Sequence, residues 1–137
     1  MVVAVALFAA AVAWAGRHRY VGTVKVMSGS TNGTMEFITK TSGGHLVVAR
    51  FRFDYVPTHC RTGPRLQFFH FNSATFRVKN RRFHGHTRFG NPSTVVVAGR
   101  FNKKLTNATG ALSLIGAIGP HTGCHTGTLR WSAVQGA

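Results

Sequence analysis

The sequence predicts an all-β fold, a small curved antiparallel β-barrel, and three observations support this prediction. Short runs of β-branched and aromatic residues alternate with clusters of Gly, Asn, Pro and Ser. No segment has a sustained helical periodicity. Glycine recurs inside the runs, where it permits the bends and close backbone approaches of a small barrel. A two-sheet β-sandwich has a similar strand spacing and stays open as the alternative.

Nine strands are predicted along the chain, each bounded by turn residues. They run from Tyr20 to Met27, Met35 to Lys40, Leu46 to Tyr55, Leu66 to Phe71, Thr75 to Lys79, Arg82 to Phe89, Ser93 to Asn102, Ala111 to Ile115 and Thr126 to Ala133. Alternating positions along these strands predict a core made of Phe37, Phe51, Phe53, Phe68, Val95, Val97, Phe101, Leu112, Leu114, Leu129 and Trp131.

The first 15 residues form an uncharged apolar run that ends in Ala13-Trp14-Ala15, a small-x-small pattern typical of signal peptidase sites. We therefore predict a signal peptide at 1–15, a single β domain at 16–137 and a secreted, extracellular protein with no membrane span in the mature chain. A basic n-region is missing, so the alternative is a retained segment that packs as a core helix or interfacial anchor.

Cys60 and Cys124 are the two cysteines of the chain. In an exported protein, two well-separated cysteines are expected to form one disulfide. Closing a loop of this length stabilises the fold by about 4 kcal/mol in the chain-entropy model. A pair of buried free thiols is the alternative.

The charge is strongly one-sided, with 17 Lys and Arg against two acids, Glu36 and Asp54, and a formal net charge of +15. Such a field attracts anionic polymers or surfaces, namely nucleic acid, acidic polysaccharide or wall polymer. Catalysis that needs paired carboxylates would depend on these two distant residues alone. The charge therefore favours a binding role over carboxylate chemistry.

A cationic strand face is the strongest candidate site. Asn80 and Arg81 can form a two-residue turn between two predicted strands. Alternation then separates an apolar face, with Phe76, Val78, Phe83, Gly85, Thr87 and Phe89, from a basic face, with Arg77, Lys79, Arg82, His84, His86 and Arg88. A solvated surface with no ligand is the simpler explanation. Like charges facing each other on paired strands are destabilising, however, and this favours a compensating anion.

The long predicted strand repeats this pattern. Alternation places Phe51, Phe53 and Tyr55 on one face, and Arg50 and Arg52 on the other with Asp54. The predicted anion-binding residues are therefore Arg50, Arg52, Arg77, Lys79, Arg82, His84, His86 and Arg88. Lys103 and Lys104, at the end of another strand, are expected to lie away from this site.

Several short motifs of the chain are similar to those of a group of secreted proteins. They are Tyr20-x-Gly22, Val97-Ala-Gly99-Arg-Phe101, Thr109-Gly110-Ala-Leu112 and the closing Cys124-His-Thr-Gly127-Thr-Leu-Arg-Trp131. Together they resemble uncharacterised secreted all-β domain proteins of high-GC Gram-positive bacteria. The resemblance implies the fold, export and the disulfide, and it implies no activity. The very low acid content of this chain departs from that group.

The sequence favours a secreted, non-catalytic module whose basic face binds anionic polymers or surfaces. One alternative is a structural, self-assembling extracellular subunit, since exposed strand edges can pair copies into a homo-oligomer. A second is a metal-free ribonuclease-like enzyme, in which His84 and His86 would act with Arg82 or Arg88. No cofactor is expected, and no metal at His84 and His86, because the neighbouring cations would repel a divalent ion.

Overall fold

The computed structural model describes residues 16–26, 32–70, 75–88 and 93–136, with the backbone alone for 64–70. These residues form ten strands and no helix. The strands are β1 (His18–Val24), β2 (Gly33–Ser42), β3 (His45–Cys60), β4 (Gly63–His70), β5 (Phe76–Arg77), β6 (Arg82–Arg88), β7 (Thr94–Phe101), β8 (Asn107–Ile118), β9 (His121–His125) and β10 (Leu129–Gln135).

All ten strands belong to one antiparallel sheet with the order β10-β1-β2-β3-β9-β8-β7-β6, and β4 and β5 attach to β3. β10 also pairs with β8. The pairings therefore return on themselves, which a flat sheet does not allow, and the sheet is curved. The predicted all-β antiparallel class is confirmed, with a single sheet in place of the two sheets of a sandwich.

The core lies on one face of this sheet and is rich in aromatic rings. The predicted core residues are buried, apart from Phe68, whose side chain lies outside the described residues. The Trp131 ring packs against Phe37 and Phe83, with ring centroids 5.8 Å and 6.2 Å apart. Gly99 and Gly110 are cross-strand partners beneath it. A Cβ atom on Gly99 would come within 2.8 Å of the indole, and one on Gly110 within 2.4 Å. These two glycines make room for Trp131, as the close-approach argument predicts.

The sequence-based strand assignment misses β9. The sequence predicts no strand between Ile115 and Thr126, since this segment contains three glycines and a proline. In the structure it turns back on β8 after Gly119, which has a positive φ of 55°, and pairs Ile118 with His121. Long-range pairing and the bond at Cys124 hold this strand in spite of its low intrinsic preference for β structure.

Tyr55 is a second difference between prediction and structure. Strict alternation places it beside Phe51 and Phe53, but its side chain is 64% exposed. A register shift between Phe53 and Val56 inserts an extra residue into β3, and Tyr55 has a positive φ of 58° at this bulge. A β-bulge interrupts the two-residue period, so the side chains after it change face.

The Cys60–Cys124 disulfide is present and joins the end of β3 to β9. Beside it, His59 and His125 are cross-strand partners with stacked rings 5.8 Å apart. The predicted signal peptide at 1–15 lies outside the described residues. Within the described ranges, no helix has the length and apolar character needed to cross a lipid bilayer.

Candidate anion-binding groove

The candidate site is built on the turn between β5 and β6. Asn80 and Arg81 have positive φ values of 53° and 62°. The flanking residues Lys79 and Arg82 exchange two backbone hydrogen bonds, of 2.8 Å and 3.0 Å. Positive φ at both central positions defines the type I′ turn of tight hairpins. The predicted two-residue turn at Asn80-Arg81 is confirmed.

The predicted alternation across this hairpin is also confirmed for the residues that the structure describes, and Phe89 lies outside them. Phe76 and Phe83 are buried, while Arg77, Lys79 and Arg82 are exposed. His84, His86 and Arg88 continue the exposed side along β6. The apolar face of the hairpin therefore anchors it to the core and directs the basic face to solvent.

Two adjoining depressions lie over this hairpin and the neighbouring β7–β8 turn, and together we call them the basic groove. The first has a volume of about 650 Å³ and is lined by Arg77, Lys79, Asn80, Arg81, Arg82, Phe83, His84 and Arg100. The second, of about 390 Å³, is lined by Arg81, Arg100, Phe101, Asn102, Lys103, Asn107, Ala108 and Thr109. Arg81 and Arg100 line both, so the two depressions lie side by side.

Strand pairing holds the central arginines of the groove together. Arg82 and Arg100 are cross-strand partners on β6 and β7, and the Phe101 amide donates a 2.8 Å hydrogen bond to the Arg81 carbonyl. Directly opposed side chains on paired strands have Cβ atoms about 5 Å apart. The register thus places permanent positive charges side by side, and like charges in that position are destabilising.

The two acids of the chain lie on another part of the sheet. The Arg19 guanidinium contacts the Glu36 carboxylate at 2.5 Å. Arg52 contacts Asp54 at 3.2 Å and Glu36 at 3.8 Å. Since Glu36 and Asp54 are the only carboxylate side chains in the sequence, the basic groove has none.

The structure brings together part of the predicted site. Arg77, Lys79, Arg82 and His84 line the groove. His86 and Arg88 are exposed farther along β6, where Arg88 pairs with Thr94, about 20 Å from Arg82 at the usual rise per strand residue.

Arg50 and Arg52 lie on β3, outside the groove lining. Arg50 is exposed at a second bulge of β3, with a positive φ of 54°. Arg52 is engaged by both carboxylates. The structure therefore places these two residues in an acid-containing region of the surface.

Sequence reasoning missed Arg81, Arg100 and Lys103, and the expectation that Lys103 lies away from the site is wrong. Alternation assigns faces within a strand, but it does not say which strands pair. The position of Arg81 in the turn was the one local signal that could have identified it. Arg100 and Lys103 become neighbours of the hairpin only through the β6–β7 register.

Hydrogen bonds fix both ends of the groove. At one end, the Arg77 guanidinium lies 3.1 Å from Nδ1 of His45. Because a guanidinium only donates, Nδ1 must be the acceptor nitrogen of that imidazole. At the other end, the Asn102 side-chain carbonyl accepts hydrogen bonds from the Thr106 and Asn107 amides, at 2.8 Å and 3.1 Å. These bonds order the turn that carries Lys103 before any ligand binds.

Arg81 is unfavourable for the backbone at its position. A left-handed conformation costs an L-residue about 1–2 kcal/mol, and the second position of a type I′ turn strongly prefers glycine. Asn80 tolerates this conformation better than Arg81 does. The Arg81 guanidinium donates a hydrogen bond of 3.4 Å to the Phe101 carbonyl, and a bond of that length offsets little of this backbone cost.

The metal and ribonuclease-like alternatives depend on how the histidines lie in the part of the chain that the structure describes. It contains no group of three or more His, Cys, Asp or Glu side chains positioned to hold a metal ion. His84 and His86 share the exposed face of β6, as predicted, and only His84 lines the groove. Cationic side chains are the main chemical feature of this site.

Comparison of the chain with protein-family models, curated proteins and solved structures found no match. The resemblance to secreted β domains of high-GC Gram-positive bacteria therefore stays a prediction from the sequence.

Proposed function

We propose that this chain is a secreted, non-catalytic binding module that holds anionic polymers in the basic groove. The observation that carries the proposal is the surface around Arg81 and Arg100, which six Lys and Arg side chains line without a single carboxylate. Guanidinium groups bind phosphate, sulfate and carboxylate oxygens through charge-assisted, often bidentate hydrogen bonds. A bound polyanion would offset the repulsion between these cations.

Two further observations support binding as the role of this surface. Arg81 occupies a turn position that strongly prefers glycine, and its long 3.4 Å hydrogen bond to the Phe101 carbonyl is weak compensation, so the side chain supports a role beyond folding. The apolar run at 1–15 and the disulfide agree with export, where anionic polymers of cell surfaces are accessible.

The test is binding of the mature protein to heparin and to DNA at low salt, followed by salt titration. We expect the Arg82→Glu/Arg100→Glu variant to bind at least about tenfold more weakly, since hydrogen bonds to charged groups are each worth about 1.5–3 kcal/mol. Its log–log salt slope for DNA should be smaller by about two, one for each lost phosphate contact.

The matched control is Lys25→Glu/Arg61→Glu, which changes the net charge equally at two exposed residues outside the groove lining. Equal weakening by both double variants would show that net charge alone attracts the polymer. Absence of binding by the wild-type protein to both polymers at low salt would refute the function itself.

A further inference from the structure

The two halves of the basic groove offer more than one anion position. Arg77, Lys79 and Arg82 line the first depression, and Lys103 lines the second. Arg81 and Arg100 form the boundary that both depressions share. An anionic group held at this boundary would therefore have cationic side chains on both sides, which suits a ligand whose charges follow one another along a chain.

The lining of the groove consists mainly of cationic side chains, with few rings on which a ligand could stack. Its two phenylalanines, Phe83 and Phe101, are only 3% and 1% exposed, so their faces are covered by the core, and the exposed ring of the lining is the imidazole of His84. Proteins that hold the bases of single-stranded nucleic acids do so with exposed aromatic side chains on which those rings stack. With six cationic side chains against one exposed ring, the lining favours recognition through the anionic groups of the ligand.

Arginine predominates over lysine in the lining, with Arg77, Arg81, Arg82 and Arg100 against Lys79 and Lys103. The planar guanidinium matches two oxygens of one phosphate group, whereas an ammonium acts as a point charge. Neighbouring guanidinium groups on paired strands can each take a separate phosphate or share one between them. This composition favours phosphate groups as the charges of the ligand.

Both ends of the groove are ordered in advance. The type I′ turn and the contact between Arg77 and His45 fix the first half, and the Asn102 hydrogen bonds fix the turn that carries Lys103. Because the backbone is preorganised, the distance between the two halves is set before binding, and less ordering entropy is lost. A fixed spacing selects for a chain that can extend from one half to the other.

We propose that the basic groove binds a linear phosphate chain, with successive phosphate groups placed on either side of the Arg81 and Arg100 pair. This inference rests on the proposed function and specifies its ligand. The shared chemistry is a run of phosphates, which an inorganic polyphosphate or a phosphodiester backbone can supply. A linear chain can place its terminal phosphates farther apart than a compact ring with the same number of phosphates can.

The first experiment is titration calorimetry of the mature protein with linear tripolyphosphate, cyclic trimetaphosphate and orthophosphate at a fixed ionic strength. We expect tripolyphosphate to bind about tenfold more tightly than trimetaphosphate, the gain expected from one additional charge-assisted contact. Orthophosphate should bind most weakly. Equal affinities for the linear and the cyclic triphosphates would overturn the proposal.

A second arm separates geometry from total charge. Lys103→Gln should lower the affinity for tripolyphosphate about threefold or more, because it removes a cation from the second half only. Its affinity for trimetaphosphate should change less than about twofold. The matched control, Lys25→Gln, removes one exposed charge outside the groove and should leave both affinities within that range. Equal losses in the two variants would overturn the second phosphate position.

Competition identifies the source of the phosphates. Long-chain polyphosphate and oligo(dT) are each tested for displacement of labelled heparin, and displacement by either one supports the phosphate chain and names its kind. If heparin binds and neither phosphate polymer displaces it, the phosphate assignment is wrong while the polyanion function stands. If none of the three polymers binds at low salt, the proposed function fails before this inference is reached.

Discussion

The cations have different surroundings in two regions of the same sheet, one on β1–β3 and the other on β5–β7. On the first, Arg19 and Arg52 contact Glu36 and Asp54. On the second, Arg82 and Arg100 are paired directly across two strands without a carboxylate nearby. Both regions follow the same alternation of buried and exposed side chains. The difference lies only in where the two acids of the chain are placed.

This comparison shows that the net charge of +15 is not spread evenly over the protein. Exposed ion pairs such as that between Arg19 and Glu36 contribute about 0–1 kcal/mol to stability, so the acids are not essential to the sheet on β1–β3. Their placement nevertheless leaves the basic groove as a region of concentrated positive potential. A polyanion should therefore distinguish the two regions, and the following changes test that distinction.

The largest expected effect concerns stability. Replacing Cys60 and Cys124 by Ser should lower the free energy of unfolding by about 4 kcal/mol in the chain-entropy model, since the two residues are 64 positions apart. The disulfide joins β3 to β9, away from the residues that line the groove. At temperatures where the variant remains folded, its polyanion affinity should match that of the wild type. Denaturant titration and heparin binding on the same samples provide the two measurements.

A smaller effect is expected at Tyr20, which links the two regions. Its ring stacks on Phe37, and its hydroxyl donates a hydrogen bond to the Leu105 carbonyl in the turn that carries Lys103. Tyr20→Phe should therefore lower the free energy of unfolding by about 1–1.5 kcal/mol, the usual net value of a hydrogen bond. Binding of tripolyphosphate should weaken modestly because the Lys103 turn loses one of its supports. Unchanged stability would mean that the hydroxyl does not hold this turn.

Tyr20 should also make the free energy of unfolding depend on pH. Burial raises the pKa of Tyr20 above its ordinary value of 10.0, although a hydrogen bond with Thr39 partly opposes this shift. Its contribution to stability is complete below pH 10 and is lost as the pH rises through the higher folded-state pKa. The free energy of unfolding should therefore fall more steeply above pH 10 in the wild type than in Tyr20→Phe. Identical slopes for the two proteins would contradict this assignment.

Arg81→Gly separates binding from folding at a single position. Glycine relieves the positive φ of 62°, and this gain outweighs loss of the long 3.4 Å hydrogen bond from Arg81 to the Phe101 carbonyl, so stability should be unchanged or rise by up to about 1 kcal/mol. Polyanion affinity should fall several-fold because both halves of the groove lose a shared cation. Lys25→Gln serves as the charge-matched control. A loss of stability in Arg81→Gly would indicate instead that the arginine is kept for the fold.

The smallest effect is expected from removing the acids. Glu36→Gln/Asp54→Asn abolishes the two carboxylates that face Arg19 and Arg52 on the β1–β3 region. Polyanion affinity should rise only about twofold to threefold, through the longer-range field of the protein. Gel-shift titration of the polymer complexes should show no second strong binding site on each protein molecule. A gain as large as the loss caused by Arg82→Glu/Arg100→Glu would show that the groove has no special geometry.

Local patterns in the sequence were sufficient to predict much of the hairpin. The period of two places Phe76 and Phe83 inward and the cations outward, and the Asn80-Arg81 pair marks the turn. The same rule failed at Tyr55, where a bulge shifts the register by one residue. A bulge depends on the partner strand, so no periodicity within β3 reveals it.

The sequence by itself determined the all-β class, most of the core and the excess of positive charge, because these depend on composition and on residue spacing within single strands. Only the tertiary structure decided which charges meet. Arg100 and Lys103 are brought to Arg81 by the pairing of β6 with β7, while Arg52 is brought to Glu36 by the pairing of β2 with β3. Strand register is set by contacts between residues far apart in the chain, and these contacts separate the scattered cations into a region with ion pairs and a groove without carboxylates.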